Sequence, residues 1–302
     1  MSTVTDATSG TEFAGSISEL NEIRSRDPQR IKRLLAVRRK RQLFGPDGKL
    51  MIIACDHPAR GALSAGSRAT AMASRTELLD RLVTAVTRPG VDGLLATADI
   101  AEDLLMLGVL EEKLMFASMN RGGLQGSVFE MDDRNTGYDV RGTVDAGFEG
   151  AKMLLRIDLE DPSTVATLER CGQAITELNR AESIAMVEPF MSSRFDGKIV
   201  NDLSPDAVIK SVHIAQGLGA SSAYTWMKLP VVHEMERVMD ATTLPTLLLG
   251  GDPDSAPDET YAEWQAALAL PSVRGLVVGR TMLYPADDDV AKAVDTAVSL
   301  VR

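Results

Sequence analysis

The chain has 302 residues with 43 acidic and 32 basic side chains, which gives a formal net charge of −11. This balance argues against nucleic-acid binding, because nucleic-acid-binding surfaces must be basic to release counterions from phosphates. Cys55 and Cys171 are too few for a disulfide framework, and no apolar run reaches the roughly 18 residues of a membrane span, so we expect a cytoplasmic protein without membrane contact.

The N-terminal region differs in composition from the rest of the chain. Residues 1 to about 14 are rich in Ser, Thr, Gly and Ala, which predicts a disordered start. Residues 16–42 show a charged helical pattern that ends before the turn Gly45-Pro46-Asp47-Gly48. Within it, Arg30 to Arg41 holds seven basic residues and no acidic one, and we interpret it as a solvated or subunit-facing helix, with RNA or membrane contact as alternatives.

Beyond this turn, short apolar runs alternate with amphipathic helical stretches. Eight such runs predict a closed parallel (β/α)8 TIM barrel of the α/β class, rather than a doubly wound sheet, and no G-x-G-x-x-G follows the first run. We therefore expect an N-terminal extension over residues 1–46 and a barrel over residues 47–302. The predicted strands are Leu50–Cys55, Gly93–Ala98, Leu114–Met119, Ala151–Ile157, Ile184–Pro189, Ala223–Leu229, Thr246–Gly250 and Gly275–Gly279. The clearest predicted helices are Ser163–Asn179, Ser204–Leu218, Asp258–Leu270 and Asp287–Val301.

Two connections between these elements are unusual. Residues 120–139 are long and Gly-rich, and residues 191–202 are polar. Because both follow strands, we expect both on the C-terminal face of the barrel, where active sites of this fold are built, unless they are merely tolerated insertions.

Four charged residues stand at the ends of separate predicted strands and suggest one site. Lys228 would share a strand face with Tyr224 and Trp226, and such a lysine is either paired with a carboxylate or uncharged and nucleophilic. Glu188 is its expected partner. Lys152 and Arg156 share a face of the fourth strand, so at least one cation should point into the barrel, although a purely structural ion pair of Lys152 with Glu188 is the alternative. Asp56 closes the first strand and suits proton exchange or a capped turn.

Other residues after the strands suit anion binding. His57 and Arg60 follow Asp56 and are candidates to contact substrate hydroxyl or phosphate groups. After the seventh and eighth strands come Gly250-Gly251 and Gly279-Arg280, at the loops that form the recurring phosphate site of these barrels.

Several other reaction classes lack their motifs. The three histidines, His57, His213 and His233, show no H-x-x-x-H spacing, and there is no C-x-x-C, so we expect no metal site and no cofactor. A Gly-x-Ser-x-Gly elbow and a P-loop are also absent. Schiff-base chemistry on a lysine is the class left by this elimination.

The chain resembles the class I aldolases of the deoxyribose-phosphate, tagatose-bisphosphate and archaeal-type fructose-bisphosphate aldolase superfamily. The resemblance runs from about Leu50 to Leu283, and its segments keep their order and approximate spacing. It departs where His57-Pro58 replaces a glutamine and where the third-strand loop is longer. The similar segments are Asp56-His57-Pro58-Ala59-Arg60-Gly61-Ala62-Leu63, Gly150-Ala151-Lys152-Met153-Leu154-Leu155, Val187-Glu188-Pro189, Met227-Lys228-Leu229-Pro230, Leu248-Leu249-Gly250-Gly251 and Val277-Val278-Gly279-Arg280.

This resemblance implies an aldehyde-lyase that needs no metal and acts on a small phosphorylated sugar. Lys228 would be the Schiff-base lysine, Glu188 its proton-transfer partner, Lys152 a second active-site lysine and Asp56 an acid facing the substrate. Gly250, Gly251, Gly279 and Arg280 would hold the phosphate. The resemblance to an actinobacterial branch associated with inositol catabolism implies 2-deoxy-5-keto-gluconate 6-phosphate as substrate.

Two other functions and the assembly state stay open on the sequence alone. A lysine-dependent acyl transferase of the same barrel superfamily would require coenzyme A. A non-catalytic sugar-phosphate sensor would bind its ligand without releasing products. We also expect a homo-oligomer, because the basic N-terminal segment and the acidic barrel could meet between subunits.

Overall fold

The computed structural model describes residues 17–250 and 257–302. Eight parallel strands close into a barrel, because β1 pairs with both β2 and β9 while β4 pairs with β5. The short strand β6 lies outside the barrel and pairs antiparallel with an extension of β5. The strands are β1 (Leu50–Cys55), β2 (Gly93–Ala96), β3 (Leu114–Ser118), β4 (Gly150–Ile157), β5 (Ile184–Phe195), β6 (Lys198–Asn201), β7 (Thr225–Leu229), β8 (Thr246–Leu249) and β9 (Val273–Val278). The predicted (β/α)8 barrel is confirmed.

Helices surround the barrel and follow the strands in turn. Several have the expected start signals: Ser74 caps α3 and Ser204 caps α7, each accepting a hydrogen bond from a backbone N–H three residues on. The helices are α1 (Ile17–Arg26), α2 (Gln29–Val37), α3 (Arg75–Thr87), α4 (Ala98–Met106), α5 (Val140–Asp145), α6 (Ser163–Arg180), α7 (Pro205–Gln216), α8 (Met235–Asp240), α9 (Pro257–Leu268), α10 (Arg280–Leu283) and α11 (Val290–Val301), with a 3-10 turn at Pro58–Arg60.

The barrel has two hydrophobic cores, as expected from strands that are buried on both faces. One fills the space between strands and helices. The other lies inside the barrel and is built from alternate residues of the strands, which point to one face. Above this inner core the same alternation continues into charged side chains at the C-terminal ends of the strands. The inner core residues are Leu50, Ile52, Ala54, Leu95, Leu114, Phe116, Ile184, Met186, Trp226, Leu247 and Val277.

The segment before β1 closes the opposite end of the barrel. Leu43 and Phe44 pack against the inner core, and the Phe44 ring stacks on Trp226 with the centroids 5.7 Å apart. Basic side chains hold this segment to its own chain: Arg38 donates to the carbonyl of Lys113 at 2.6 Å, and Arg41 pairs with Asp92. Part of the basic run is therefore used within the subunit.

Three local predictions differ from the structure. The single helix expected over residues 16–42 is two helices broken at Asp27–Pro28, and the chain leaves helical geometry at Arg38, whose side chain turns into the barrel end. The polar connection after the fifth strand is a β-hairpin. Tyr224 lies just before β7, so only Trp226 and Lys228 share the strand face. The predicted disordered start and Gly251 lie outside the described residues.

Within the described residues, none of the helices has the length and apolar character needed to cross a membrane.

Candidate active site

The four charged residues singled out in the sequence meet at the C-terminal end of the barrel. Lys228, Glu188 and Lys152 lie on β7, β5 and β4, which are neighbours in the sheet, and Asp56 directly follows β1. Each lies two residues further along the chain than an inward-facing residue of the same strand, so its side chain also points inward. These preceding residues are Trp226 for Lys228, Met186 for Glu188, Gly150 for Lys152 and Ala54 for Asp56. The C-terminal ends of the strands therefore bring all four side chains to one end of the barrel.

These residues form a continuous chain of ion pairs. Glu188 uses one oxygen for each lysine: Oε1 lies 2.6 Å from Lys228 Nζ, and Oε2 lies 2.8 Å from Lys152 Nζ. Lys152 Nζ also lies 2.9 Å from Asp56 Oδ2, which in turn lies 3.2 Å from Arg121 Nη2. The side chain of Lys228 is only 7% exposed. Both lysines thus share one carboxylate, so the arrangement is a network and not an isolated structural pair.

The network sets the charge of its two carboxylates. Burial by itself would raise the pKa of Glu188, but the ammonium groups of Lys152 and Lys228 outweigh it and lower that pKa to about 2. Burial also opposes ionisation of Asp56, whereas Arg121 and Lys152 hold its pKa well below the usual range. Both acids are therefore carboxylates at neutral pH. Three cationic side chains face two anionic ones, which leaves the site attractive to an anionic ligand.

We expect Lys152→Met to destabilise the protein in a pH-dependent way. The substitution leaves two buried carboxylates short of a cation and should cost about 3 kcal/mol at pH 7. Because the folded-state pKa of Glu188 lies below its ordinary value of 4.5, the stabilisation is complete above pH 4.5 and is lost as the pH falls towards 2. Urea unfolding should therefore show a difference between the two proteins that shrinks below pH 4.5. Lys210→Met, at an exposed position of α7, is the control, and a pH-independent gap would contradict this linkage.

Two further polar side chains contact Asp56. Ser118 at the end of β3 donates its hydroxyl to Asp56 Oδ2 at 2.8 Å, and Arg121 donates to the Asp56 backbone carbonyl at 2.8 Å. Neither Ser118 nor Arg121 is among the site residues predicted from the sequence. Their positions immediately after an apolar run were the available signal.

His57 lies at the edge of the network. Its Nδ1 is buried 3.7 Å from Asp56 Oδ1 and has no hydrogen-bond partner in the described part of the chain, while the side chain as a whole is 33% exposed. Burial lowers its pKa to about 3 despite the nearby carboxylate, so the imidazole is neutral near pH 7. A neutral imidazole at the mouth can donate to or accept from a substrate hydroxyl.

Arg60 faces the long loop after β3 and not the ion-pair network. Its guanidinium donates to the backbone carbonyls of Asn120 at 2.7 Å and Gly123 at 2.9 Å, and it pairs with Asp133. Asp133 also accepts from the Gly123 backbone N–H at 2.9 Å. Since these contacts fix the backbone on both sides of Arg121, Arg60 positions the loop residue that reaches Asp56. Its predicted contact with substrate stays a prediction.

A second buried pair holds the same loop. Arg156 lies four residues after Lys152, on the same inward face of β4. It donates to Glu130 Oε1 at 2.6 Å and to the Glu130 carbonyl at 2.8 Å. The two cations of β4 therefore have separate tasks. Lys152 belongs to the ion-pair network, and Arg156 anchors the loop above it.

We expect Asp133→Asn to release this loop. Removing a buried carboxylate leaves the Arg60 charge without its ionic partner and should lower the free energy of unfolding by about 3 kcal/mol. Limited trypsin digestion should then cut after Arg121 or Arg134 faster than in the parent protein. Asp132→Asn is a matched control, because that neighbouring carboxylate pairs with the largely exposed Arg134. Equal protease resistance of all three proteins would contradict the anchoring role.

Three of the predicted phosphate-binding residues, Gly250, Gly279 and Arg280, are described by the structure and lie directly after β8 and β9. A Cβ on Gly250 would lie 3.0 Å from the Thr281 hydroxyl oxygen, and that buried hydroxyl has no hydrogen-bond partner among the described residues. Arg280 is only loosely held, 3.5 Å from the Ser64 carbonyl. Gly279 has a packing reason of its own, since a Cβ there would lie 2.5 Å from the Ala54 carbonyl oxygen. A hydroxyl without a partner in the described part of the chain and a weakly held guanidinium beside a glycine suit an oxyanion.

Comparisons with known proteins add a family and a fold. A family model described as Cgl0159-like matches residues 48–298. The crystal structure of Cgl0159 from Corynebacterium glutamicum is 58% identical, with a TM-score of 0.92, and the match covers 94% of this chain and 96% of that one. No curated protein matched the sequence.

More distant structures share the barrel. A Schiff-base-forming fructose-1,6-bisphosphate aldolase is 18% identical with a TM-score of 0.61, over 90% of this chain and 100% of that one. An archaeal fructose-1,6-bisphosphate aldolase, described with its catalytic lysine covalently bound to a carbinolamine intermediate, is 18% identical with a TM-score of 0.60, over 90% and 99% of the two chains. At these identities the likeness establishes the fold alone.

Proposed function

The chain belongs to the Cgl0159-like family, and we propose that it is a class I aldolase in which Lys228 forms a Schiff base with a ketose carbonyl. The observation that carries the proposal is the buried Lys228 amine, 2.6 Å from a carboxylate at the C-terminal end of a barrel strand. A lysine held there has a proton acceptor at hydrogen-bond distance and faces the end of the barrel where substrates bind.

The reaction begins with proton transfer from the Lys228 ammonium group to Glu188. The free amine adds to the substrate carbonyl, and the resulting carbinolamine loses water when its hydroxyl group takes a proton back from Glu188. The imine then accepts the electron pair of the adjacent C–C bond, while a carboxylate takes the proton from the substrate hydroxyl that becomes the aldehyde. The same carboxyl group then returns this proton to the enamine carbon, and hydrolysis of the imine releases the second product and the free lysine.

Lys152 and Asp56 support these steps from either side of Glu188. Lys152 donates to the second Glu188 oxygen at 2.8 Å, which fixes the carboxylate so that Oε1 faces Lys228. Asp56, held by Ser118 and Arg121, is the second carboxylate in reach of the site and is the base we assign to the cleaved hydroxyl. The positions of these groups leave one carboxyl group, Glu188, for proton transfer in dehydration and another, Asp56, as the base in C–C cleavage.

The substrate we propose is a phosphorylated ketose or keto-sugar acid. Its phosphate would lie between Gly250, Thr281 and Arg280, with Gly279 beside them. Gly251 stays a predicted phosphate contact outside the described residues. An excess of cations in the ion-pair network favours a further anionic group at the other end of the molecule. 2-Deoxy-5-keto-gluconate 6-phosphate, which would yield dihydroxyacetone phosphate and malonate semialdehyde, has both groups and is the first compound to test.

Borohydride trapping tests this proposal. Incubation with a ketose phosphate and sodium borohydride should reduce the imine to a stable secondary amine, and peptide mass analysis should place the added mass on Lys228. The panel should include dihydroxyacetone phosphate, fructose 1,6-bisphosphate and the keto-sugar acid phosphate, each with a reaction lacking borohydride as control. If borohydride traps no adduct on any lysine of the barrel, the Schiff-base mechanism is refuted.

A further inference from the structure

The β5–β6 hairpin extends beyond the barrel and ends in a tight turn. Strand β5 continues past Met191 to Phe195, and β6 returns antiparallel with Phe195 opposite Lys198. The two turn residues, Asp196 and Gly197, both have positive φ, 46° and 78°. This is the geometry of a two-residue hairpin turn, in which the flanking pair exchanges both backbone hydrogen bonds.

The outer edge of β6 is unpaired among the described strands, because β6 is the last strand of the sheet and its backbone pairs with β5 alone. Hydrogen-bonded and non-hydrogen-bonded pairs alternate along an antiparallel ladder, so Lys198 and Val200 bond to β5. The backbone N–H and C=O groups of Ile199 and Asn201 consequently point away from β5. They form a short template for another strand.

The apolar and charged side chains of this hairpin form a self-complementary pattern. Phe195, Lys198 and Val200 share the solvent-facing side of the hairpin, and Phe195 and Val200 are 69% and 49% exposed. Asp202, just past β6, carries an exposed carboxylate two residues from Val200. A basic residue and an acidic residue therefore lie at equal distances along the chain on either side of Val200.

We propose that β6 pairs antiparallel with β6 of a second copy of this chain, about a two-fold axis that passes beside Val200. In this register Ile199 lies opposite the partner's Asn201, so the outward backbone groups of both strands are satisfied. Lys198 lies opposite the partner's Asp202, twice by symmetry, and Val200 meets the partner's Val200. The proposal is independent of the proposed function.

The charges select this register over its neighbour. A shift that places Ile199 opposite the partner's Ile199 keeps the backbone bonds but brings Asp196 opposite the partner's Asp202. Like charges directly opposite each other destabilise a strand pair. The edge thus favours a second copy in one register, and a strand of a different protein would lack the reciprocal Lys198 and Asp202 contacts.

A disulfide test reports this contact directly. Val200 and the partner's Val200 form a non-hydrogen-bonded pair, whose Cα atoms are about 4.5 Å apart, within disulfide range. Val200→Cys should therefore give a covalent dimer under mild oxidation, whereas Ser193→Cys, on the same hairpin face but on β5, should not. The natural cysteines, Cys55 and Cys171, are buried and free. Equal cross-linking of the two variants, or none in either, would overturn the proposal.

The mass of the full chain by analytical ultracentrifugation gives a second, independent test. Ile199→Pro removes an outward-facing N–H and no backbone bond to β5, so it should lower the assembly mass with the melting temperature little changed. Lys198→Glu and Asp202→Lys should each weaken association, and the double charge swap should restore it, while Lys210→Glu should have no effect. A wild-type protein that stays monomeric, or an Ile199→Pro assembly identical to the wild type, would overturn the proposal.

Discussion

Lys228→Met should lower kcat for aldol cleavage by roughly 10⁴-fold or more and abolish the borohydride-stable adduct, because the nucleophile of the reaction is lost. Lys228→Arg is a sharper variant, since it keeps a cation opposite Glu188 and cannot form an imine. Both variants should fold, because Lys152 still satisfies the second oxygen of Glu188. The measurements are product release in a coupled assay and mass analysis of the trapped protein.

The comparison with Lys152→Met decides which lysine is the nucleophile. If Lys228 has this role, Lys152→Met should slow turnover and still form an adduct on Lys228. Lys210→Met should behave as the wild type. An adduct that disappears in Lys152→Met and persists in Lys228→Met would exchange the two roles, and the network geometry alone would then be a poor guide to reactivity.

The barrel was predictable because its signal repeats. Within the barrel each strand is an apolar run of four to eight residues, and an amphipathic helix follows it. Errors of one or two residues in the predicted ends of a strand do not change the predicted topology. Pro28 explains the break between α1 and α2, and it could have been read from the sequence. The packing of Leu43 and Phe44 against the inner core could not be predicted in this way, because nothing in the local sequence distinguishes a side chain inside a barrel from one beneath a helix.

The hairpin was missed although its signal was present. Asp196-Gly197 between two short polar strands is a strong hairpin dipeptide, but the strands are too polar to show the expected hydrophobic alternation. Polarity follows from the position of the hairpin, which projects from the barrel and has no buried face except at Ser192.

The topology of the barrel predicts that the charged residues of the site lie close together, but it does not predict which of them form ion pairs. Charged residues at the ends of parallel strands must meet at one face, so Asp56, Lys152, Glu188 and Lys228 could be grouped from the sequence. The sequence could not show that Glu188 divides its two oxygens between the lysines, or that Arg60 would turn towards the loop. Those choices depend on Asp133 and Asn120, which reach Arg60 only after the loop has folded.

Glu188→Gln should reduce kcat by roughly 10² to 10⁴-fold, because the amide cannot accept the Lys228 proton or return it to the carbinolamine. The shape of the side chain is retained, so KM should change less than kcat. Removal of the carboxylate 2.6 Å from Lys228 Nζ leaves this lysine to lose its proton to solvent, and trapping by borohydride should then rise with pH more steeply than in the parent protein.

Glu188→Asp is the matched control for this loss. It keeps a carboxylate and should recover part of the activity, limited by the longer reach to Lys228. The distinction matters because Glu188 also balances two buried cations, and a purely structural role would reduce the folded fraction of Glu188→Gln while leaving the pH profile of the folded enzyme unchanged. Turnover of Glu188→Gln within a few-fold of the parent would mean that another group, with Asp56 the nearest carboxylate across Lys152, carries the proton.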